Sequence, residues 1–171
     1  AGVSKWKNIK SINKNSIGIE ISNSGHNYKY TNFTKKQIKS VLKLSRYLID
    51  KYKINSKFIL GHSDIAPDRK IDPGEKFPWE YLSKRKIGHW HNLNQKILLQ
   101  NRNQKVSKVN RKIFFKNLKK IGYSQNFIKR NTKFSKIITS AFQRRFRQDL
   151  INGIIDKECL IISENLIKKF K

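Results

Sequence analysis

Methionine is missing from the 171 residues, and cysteine occurs once, at Cys159. A single cysteine excludes an intramolecular disulfide and most cysteine-based metal sites, and Cys159 reads as a small apolar helix residue. Without methionine, Ala1 reads as an internal start unless an initiator was removed. No run approaches the ~18 apolar residues of a membrane-spanning helix. Ala1 to Lys10 also lack the apolar core of a signal peptide. Acidic residues are scarce: 11 against 39 lysines and arginines, for a net charge of +28. Such an excess implies attraction to a polyanion, whether nucleic acid, anionic lipid or anionic cell-wall polymer, and the sign alone does not choose among them. A genome biased toward Ile, Lys and Asn would produce the same excess, with many lysines merely solvated.

What is present is enough to fold. Hydrophobic residues make up 37% and aromatics 11%, and the length suits one ordinary domain or two small ones. Up to His91 there are 19 basic and 7 acidic residues, net +12; from Asn92 onward there are 20 and 4, net +16. Between these parts Asn92 to Lys105 is rich in Asn, Gln and Lys, interrupted by the short apolar run Ile97-Leu98-Leu99. The expected division is therefore 1–91, a linker at 92–106, and 107–171.

In the first part, Ser16 to Ile21 alternates, with Ile17, Ile19 and Ile21 on one face and Ser16, Gly18 and Glu20 on the other, which predicts a half-buried strand. Thr34 and Gln37 form a capping box. Ile38, Val41, Leu42, Leu48, Ile49 and Tyr52 follow at helical spacing, predicting an amphipathic helix from Lys35 to Tyr52. Lys57 to Leu60 reads as a second short strand that ends at Gly61 and opens into a loop near Pro67, Pro73 and Pro78. Strand, helix, strand and loop make an α/β pattern, with one helix covering a sheet.

The second part predicts three helices, Ser107 to Ile121, Phe134 to Arg147 and Lys157 to Phe170, separated by turn signals at Gly122-Tyr123 and Asn152-Gly153. Val109, Ile113, Leu118 and Ile121 can line one face of the first. Ile137, Ile138, Ala141, Phe142 and Phe146 can line one face of the second, the two phenylalanines as core rather than ligand contacts.

Chemistry concentrates in Gly61-His62-Ser63-Asp64-Ile65-Ala66-Pro67-Asp68-Arg69-Lys70-Ile71-Asp72-Pro73-Gly74. His62 offers an imidazole nitrogen and Asp72 a carboxylate oxygen, both suited to Zn²⁺, on a loop stiffened by proline. Taken alone, a histidine and an aspartate ten positions apart read more readily as a loop histidine and a turn aspartate.

The whole segment, followed by Phe77-Pro78-Trp79, resembles the signature of the type-2 zinc-dependent N-acetylmuramoyl-L-alanine amidases. Ala1-Gly2-Val3-Ser4-Lys5-Trp6 and Asn15 to Ile21 also resemble that family, in the branch with a C-terminal peptidoglycan-binding domain, so the likeness covers residues 1–91. In the second part, Leu118 to Tyr123, Ala141-Phe142-Gln143-Arg144-Arg145-Phe146-Arg147 and Asn152 to Asp156 resemble that three-helix domain. Two departures stand out: Asn152-Gly153 where the family more often has Asp-Gly, and Cys159 where it has Thr.

The resemblance implies an α/β amidase-type domain, a mixed sheet flanked by helices and N-terminally incomplete, followed by a small three-helix domain. It implies a zinc cofactor held by two histidines and an aspartate. His62 and Asp72 match the second histidine and the aspartate, while the first histidine belongs to a strand upstream of the segment at which this chain begins. Glu20 matches the catalytic acid, able to take a proton from the attacking water and return it to the leaving amine. Lys70 matches a group beside the metal that stabilises the oxyanion. His26, His89 and His91 sit elsewhere and read as surface or substrate-loop residues.

The implied activity is hydrolysis of the amide between N-acetylmuramic acid and L-alanine in peptidoglycan or muropeptides, by a monomer of the cell envelope, with a cytoplasmic recycling role as the alternative. The missing first histidine implies little turnover by this chain alone. A different reading is a truncated, non-catalytic peptidoglycan-binding remnant. A basic nucleic-acid-binding protein is a third, but no helix-turn-helix, zinc-finger or RNA-recognition signature supports it.

Overall fold

A computed structural model of the chain describes residues 5–123 and 132–169. Ala1 to Ser4, part of the first family-like segment, and Phe170, the expected end of the last helix, lie outside them.

The described part opens with a two-stranded antiparallel hairpin, β1 (Lys5–Trp6) and β2 (Ile9–Lys10), in which Trp6 faces Ile9. Lys7 sits at its turn with φ of 52° and donates its backbone N–H to the Gly122 carbonyl at 2.9 Å. That bond ties the start of the chain to the C-terminal helices.

Helix α1 (Lys35–Tyr52) has the expected bounds. Thr34 Oγ1 accepts from the Gln37 N–H, and Gln37 Oε1 accepts from the Thr34 N–H at 2.8 Å, so the capping box satisfies two donors that a helix start leaves orphaned. Its buried stripe, Ile38, Val41 and Ser45, faces a small core of Phe77, Trp79, Leu82 and Ile87. Tyr52, expected on that stripe, is exposed.

Two expected strands are corrected. Ser16 to Ile21 carries no strand, and Ile17 and Ile19 are 50% and 39% exposed. Alternation marks a face, but a strand also needs a neighbour to take its backbone hydrogen bonds, and none lies alongside among the described residues. Lys57 to Leu60 gives way to a 3₁₀ turn, Ser56–Phe58, because the Asn55 side chain accepts from the Lys57 N–H and caps a turn instead. The sheet that α1 is expected to cover is therefore reduced, among the described residues, to the β1–β2 hairpin.

Helix α2 (His62–Ile65), inside the signature loop, and α3 (Trp79–Ser83), just after it, are one-turn elements. Helix α4 (Gln95–Asn101) lies within 92–106, where a linker is expected, and packs on the last helix through Leu98.

Helices α5 (Lys108–Ile121), α6 (Thr132–Phe146) and α7 (Lys157–Lys168) agree with the three expected helices to within two residues wherever an end is described. The face of α5 is rotated from expectation. Phe114, Asn117, Leu118 and Ile121 point inward, whereas Val109 is 65% exposed and Ile113 is also exposed. Leu118 and Ile121 belong to both candidate stripes, and the large Phe114 decides which one is buried.

The Ala141 to Arg147 run at the end of α6 holds the helices together by polar contacts. Gln143 Oε1 accepts from the Asn152 and Gly153 N–H groups at 3.0 and 2.8 Å, while its amide donates to the Ile154 carbonyl. Arg147 bonds Asp156, whose other oxygen caps α7 through the Cys159 N–H at 2.9 Å. Arg147 also reaches Glu158 at 3.4 Å, and Arg102 clamps the same fully buried Glu158 through two 2.8 Å bonds.

One core runs through both expected parts: Trp6 and Ile12 are buried in the same cluster as Phe114, Ile138, Phe142, Ile162 and Leu166. Trp6 stands edge-on to Tyr123 at 5.0 Å and lies against Gly122, where φ of 145° and the contact itself leave no room for a side chain.

Candidate active site

The signature loop is wound tightly on itself. Gly61 starts α2, the Ser63 N–H donates to the Asp72 carbonyl at 2.9 Å, and the Ala66 N–H donates to the His62 carbonyl at 3.0 Å. The first of these bonds closes a ten-residue loop and brings His62 beside Asp72, with Nδ1 and Oδ2 3.0 Å apart. Both side chains stay accessible, at 43% and 58% exposure.

A second strap holds the Asp72 end. Tyr30 donates its hydroxyl to the Pro73 carbonyl at 2.7 Å and accepts from the Lys76 N–H at 3.2 Å. His26 stacks on Tyr30 at 4.2 Å and bonds Glu75 at 3.0 Å; burial pushes the Glu75 carboxyl up, but the His26 bond and charge, the Glu75 backbone N–H and the Arg144 charge together hold it below its usual carboxylate range. Gly74, with φ of 83°, passes beneath both rings, where a Cβ would strike them.

Behind the loop, Asp64 is only 2% exposed and accepts from the Gly61 N–H at 2.8 Å and the Tyr123 hydroxyl at 2.7 Å. Burial pushes its carboxyl up and the Tyr123 phenol well up. Arg145, also buried, bonds the Ile59 carbonyl at 3.1 Å and lies over Trp79 at 3.2 Å. Its Nη1 is 3.9 Å from Asp64 Oδ2, an ion pair too long for a hydrogen bond.

Of the four expected site residues, the structure brings together His62 and Asp72. Glu20 and Lys70 are exposed, and among the described residues neither makes a hydrogen bond or ion pair to that pair. His91 departs from its expected surface place: it is buried and stacked on Trp90 at 4.9 Å, and burial lowers its pKa. His89 is half-buried and likewise shifted down by burial. Tyr123, Arg145 and Asp64 were not singled out from sequence for this site. Asp64 lies inside the signature segment and Arg145 inside the Ala141 to Arg147 run, but nothing along the chain pairs positions 64 and 145.

An imidazole nitrogen and a carboxylate oxygen held this close and open to solvent suit a zinc ion, whose N and O ligands at ~2.0–2.2 Å stand roughly 3.4 Å apart in a tetrahedral shell. They make two of the three protein ligands usual at a catalytic zinc. No group of three His, Cys, Asp or Glu is assembled among the described residues.

With this geometry the likeness to known proteins can be placed. The sequence model of the family described as N-acetylmuramoyl-L-alanine amidase matches residues 1–75. The N-acetylmuramoyl-L-alanine amidase AmiD of Escherichia coli K12 is 31% identical over 175 residues, covering 99% of this chain and 63% of AmiD. The 1,6-anhydro-N-acetylmuramyl-L-alanine amidase AmpD of Haemophilus influenzae is 42% identical over 85 residues, covering 48% of this chain and 44% of AmpD. Among solved structures, E. coli AmiD in complex with the substrate anhydro-N-acetylmuramic acid-L-Ala-D-gamma-Glu-L-Lys superposes with a TM-score of 0.85 at 30% identity, over 99% of this chain and 67% of that one. AmpDh3 of Pseudomonas aeruginosa superposes at 0.83 with 28% identity, over 99% and 68%. The chain thus spans less than two thirds of the curated relatives it matches. Its signature loop, its fold and these relatives agree: the chain belongs to the N-acetylmuramoyl-L-alanine amidase family.

Proposed function

We propose that the protein hydrolyses the amide between N-acetylmuramic acid and L-alanine in peptidoglycan or muropeptides, with zinc as cofactor. The observation that carries this reading is the 3.0 Å approach of His62 Nδ1 to Asp72 Oδ2 inside the family's signature loop. His62 and Asp72 would hold the ion. When bound, zinc polarises a carbonyl and lowers the pKa of water. Glu20 takes the proton of the attacking water and returns it to the leaving amine, so one carboxylate serves as base and then acid. The Lys70 ammonium offsets the charge that develops on the carbonyl oxygen. Exposed Glu20 and Lys70 side chains are free to reach substrate, and the strap from Tyr30 and His26 holds the Asp72 end of the loop against displacement.

Residues 107–171 would serve as a peptidoglycan-binding domain, directing a monomer to the cell envelope. AmiD and AmpDh3 have been solved with an anhydromuramyl tripeptide and an anhydromuramic pentapeptide, which supports a muropeptide as this chain's substrate class. The test is release of L-alanyl peptide from muropeptides by wild type, Glu20→Ala and His62→Ala. Cleavage by wild type and its loss in both variants is the expected result.

One observation favours a second reading, a peptidoglycan-binding remnant without turnover: only two ligands converge among the described residues. Binding to sacculi without muropeptide cleavage at saturating zinc would select it.

A further inference from the structure

Asp64 is the one carboxylate of the signature loop that neither faces solvent nor belongs to the proposed chemistry. It lies two residues after His62 on the same turn, and its Oδ2 accepts from Gly61, the residue just before His62. Its other oxygen accepts from Tyr123, which directly follows α5 and Gly122. Arg145, near the end of α6, supplies the counter-charge and grips the Ile59 carbonyl as well. Two residues of the C-terminal helical part, one just after α5 and one on α6, thus reach the segment that carries His62, at positions 59 and 64.

We infer that Asp64, anchored by Tyr123 and Arg145, is a positioning residue through which the C-terminal helices set the place of His62. The inference deepens the amidase reading, since it gives the helical part a role in the metal loop besides any binding of cell wall, and it rests on His62 being a ligand. Three features carry it. Asp64 and Arg145 are both almost fully buried, so their geometry is set by packing rather than by solvent. Arg145 is fixed in plane by Trp79, which limits where its second nitrogen can point. The bonds from Gly61 to Asp64 and from Ser63 to Asp72 flank His62 on both sides, so a slip of Asp64 is passed to the imidazole and not absorbed by loose backbone.

The test uses the metal-free 171-residue chain and needs no muropeptide, so its failure is separable from failure of the amidase reading. Tyr123→Phe and Arg145→Lys each remove one contact to Asp64 or alter it. Gln148→Ala removes another link between the same parts, the 2.8 Å bond to the Phe77 carbonyl, without touching Asp64. Two quantities are read: amide exchange at Gly61, Ser63 and Asp64, and the ¹⁵N resonance of His62 Nδ1, which reports its contact with Asp72. Losing a hydrogen bond to a buried carboxylate should speed local exchange by about tenfold. The expected result is that acceleration and a shift of the Nδ1 resonance toward free imidazole in Tyr123→Phe and Arg145→Lys, with neither in Gln148→Ala. Unchanged exchange and resonance in both variants would overturn the inference, as would an equal effect of Gln148→Ala. Should Arg145→Lys fail to fold, the isosteric Tyr123→Phe decides alone.

Discussion

His62 Nδ1 and Asp72 Oδ2 face each other at 3.0 Å across a loop closed by the bond from the Ser63 N–H to the Asp72 carbonyl. Under the proposed function this pair would hold zinc with two ligands where three protein ligands are usual. Losing a ligand weakens the site and loosens the geometry that aims the attacking water.

The 171-residue chain should therefore bind zinc weakly and cleave muropeptides slowly, and Asp72→Ala should abolish what binding there is. Calorimetric titration with zinc and a muropeptide assay against Glu20→Ala check this. Tight one-to-one binding with Glu20-dependent cleavage would show that a third ligand has been overlooked.

Arg147 is the counter-charge of two buried carboxylates, Asp156 and Glu158. Its replacement by alanine leaves Asp156 with backbone donors alone and Glu158 with Arg102. A destabilisation of about 3–5 kcal/mol is expected in urea unfolding. The exposed Lys84–Glu80 pair is the contrast: Lys84→Ala should change stability by less than ~0.5 kcal/mol.

Gly122→Ala should be costly for two reasons, a backbone conformation that disfavours any Cβ and the indole of Trp6 directly against it. The strain alone is on the order of 1–3 kcal/mol. Trp6 emission should move to longer wavelength in the folded variant as the ring loses its place beside Tyr123. An unshifted spectrum with wild-type stability would contradict the close packing.

Cys159 is fully buried, and burial pushes its thiol up to about 12. The native thiol should resist alkylation at pH 8 and react once the chain is unfolded. Because the unfolded thiol gives up its proton near pH 9 and the folded one keeps it to about 12, the folded state binds more protons over that window. Stability contributed by this group is therefore present below pH 9 and lost as pH rises toward 12. Cys159→Ala should flatten that part of the stability profile relative to wild type.

Local signals in the chain were enough for the helices. The Thr34–Gln37 box and the 3.6-residue apolar spacing place α1 from Lys35 to Tyr52, because caps and amphipathic faces depend on residues within a few turns. The signature loop and the Ala141 to Arg147 run were legible through their resemblance to the amidase family, and it was that resemblance, not local spacing, that singled out His62 and Asp72. Strands were not: Ser16 to Ile21 has the alternation of one, but a strand exists only through a neighbour that the local pattern cannot supply. Nor could the chain alone choose the inner face of α5, since Val109 and Ile113 compete with Phe114 until α7 packs against it. The linker expected at 92–106 became helix α4 once Leu98 found a core to enter. Above all, only the tertiary structure joins Asp64 to Tyr123 and Arg145, because burial of a charge is compensated by whatever donors the fold brings near, at any separation along the chain.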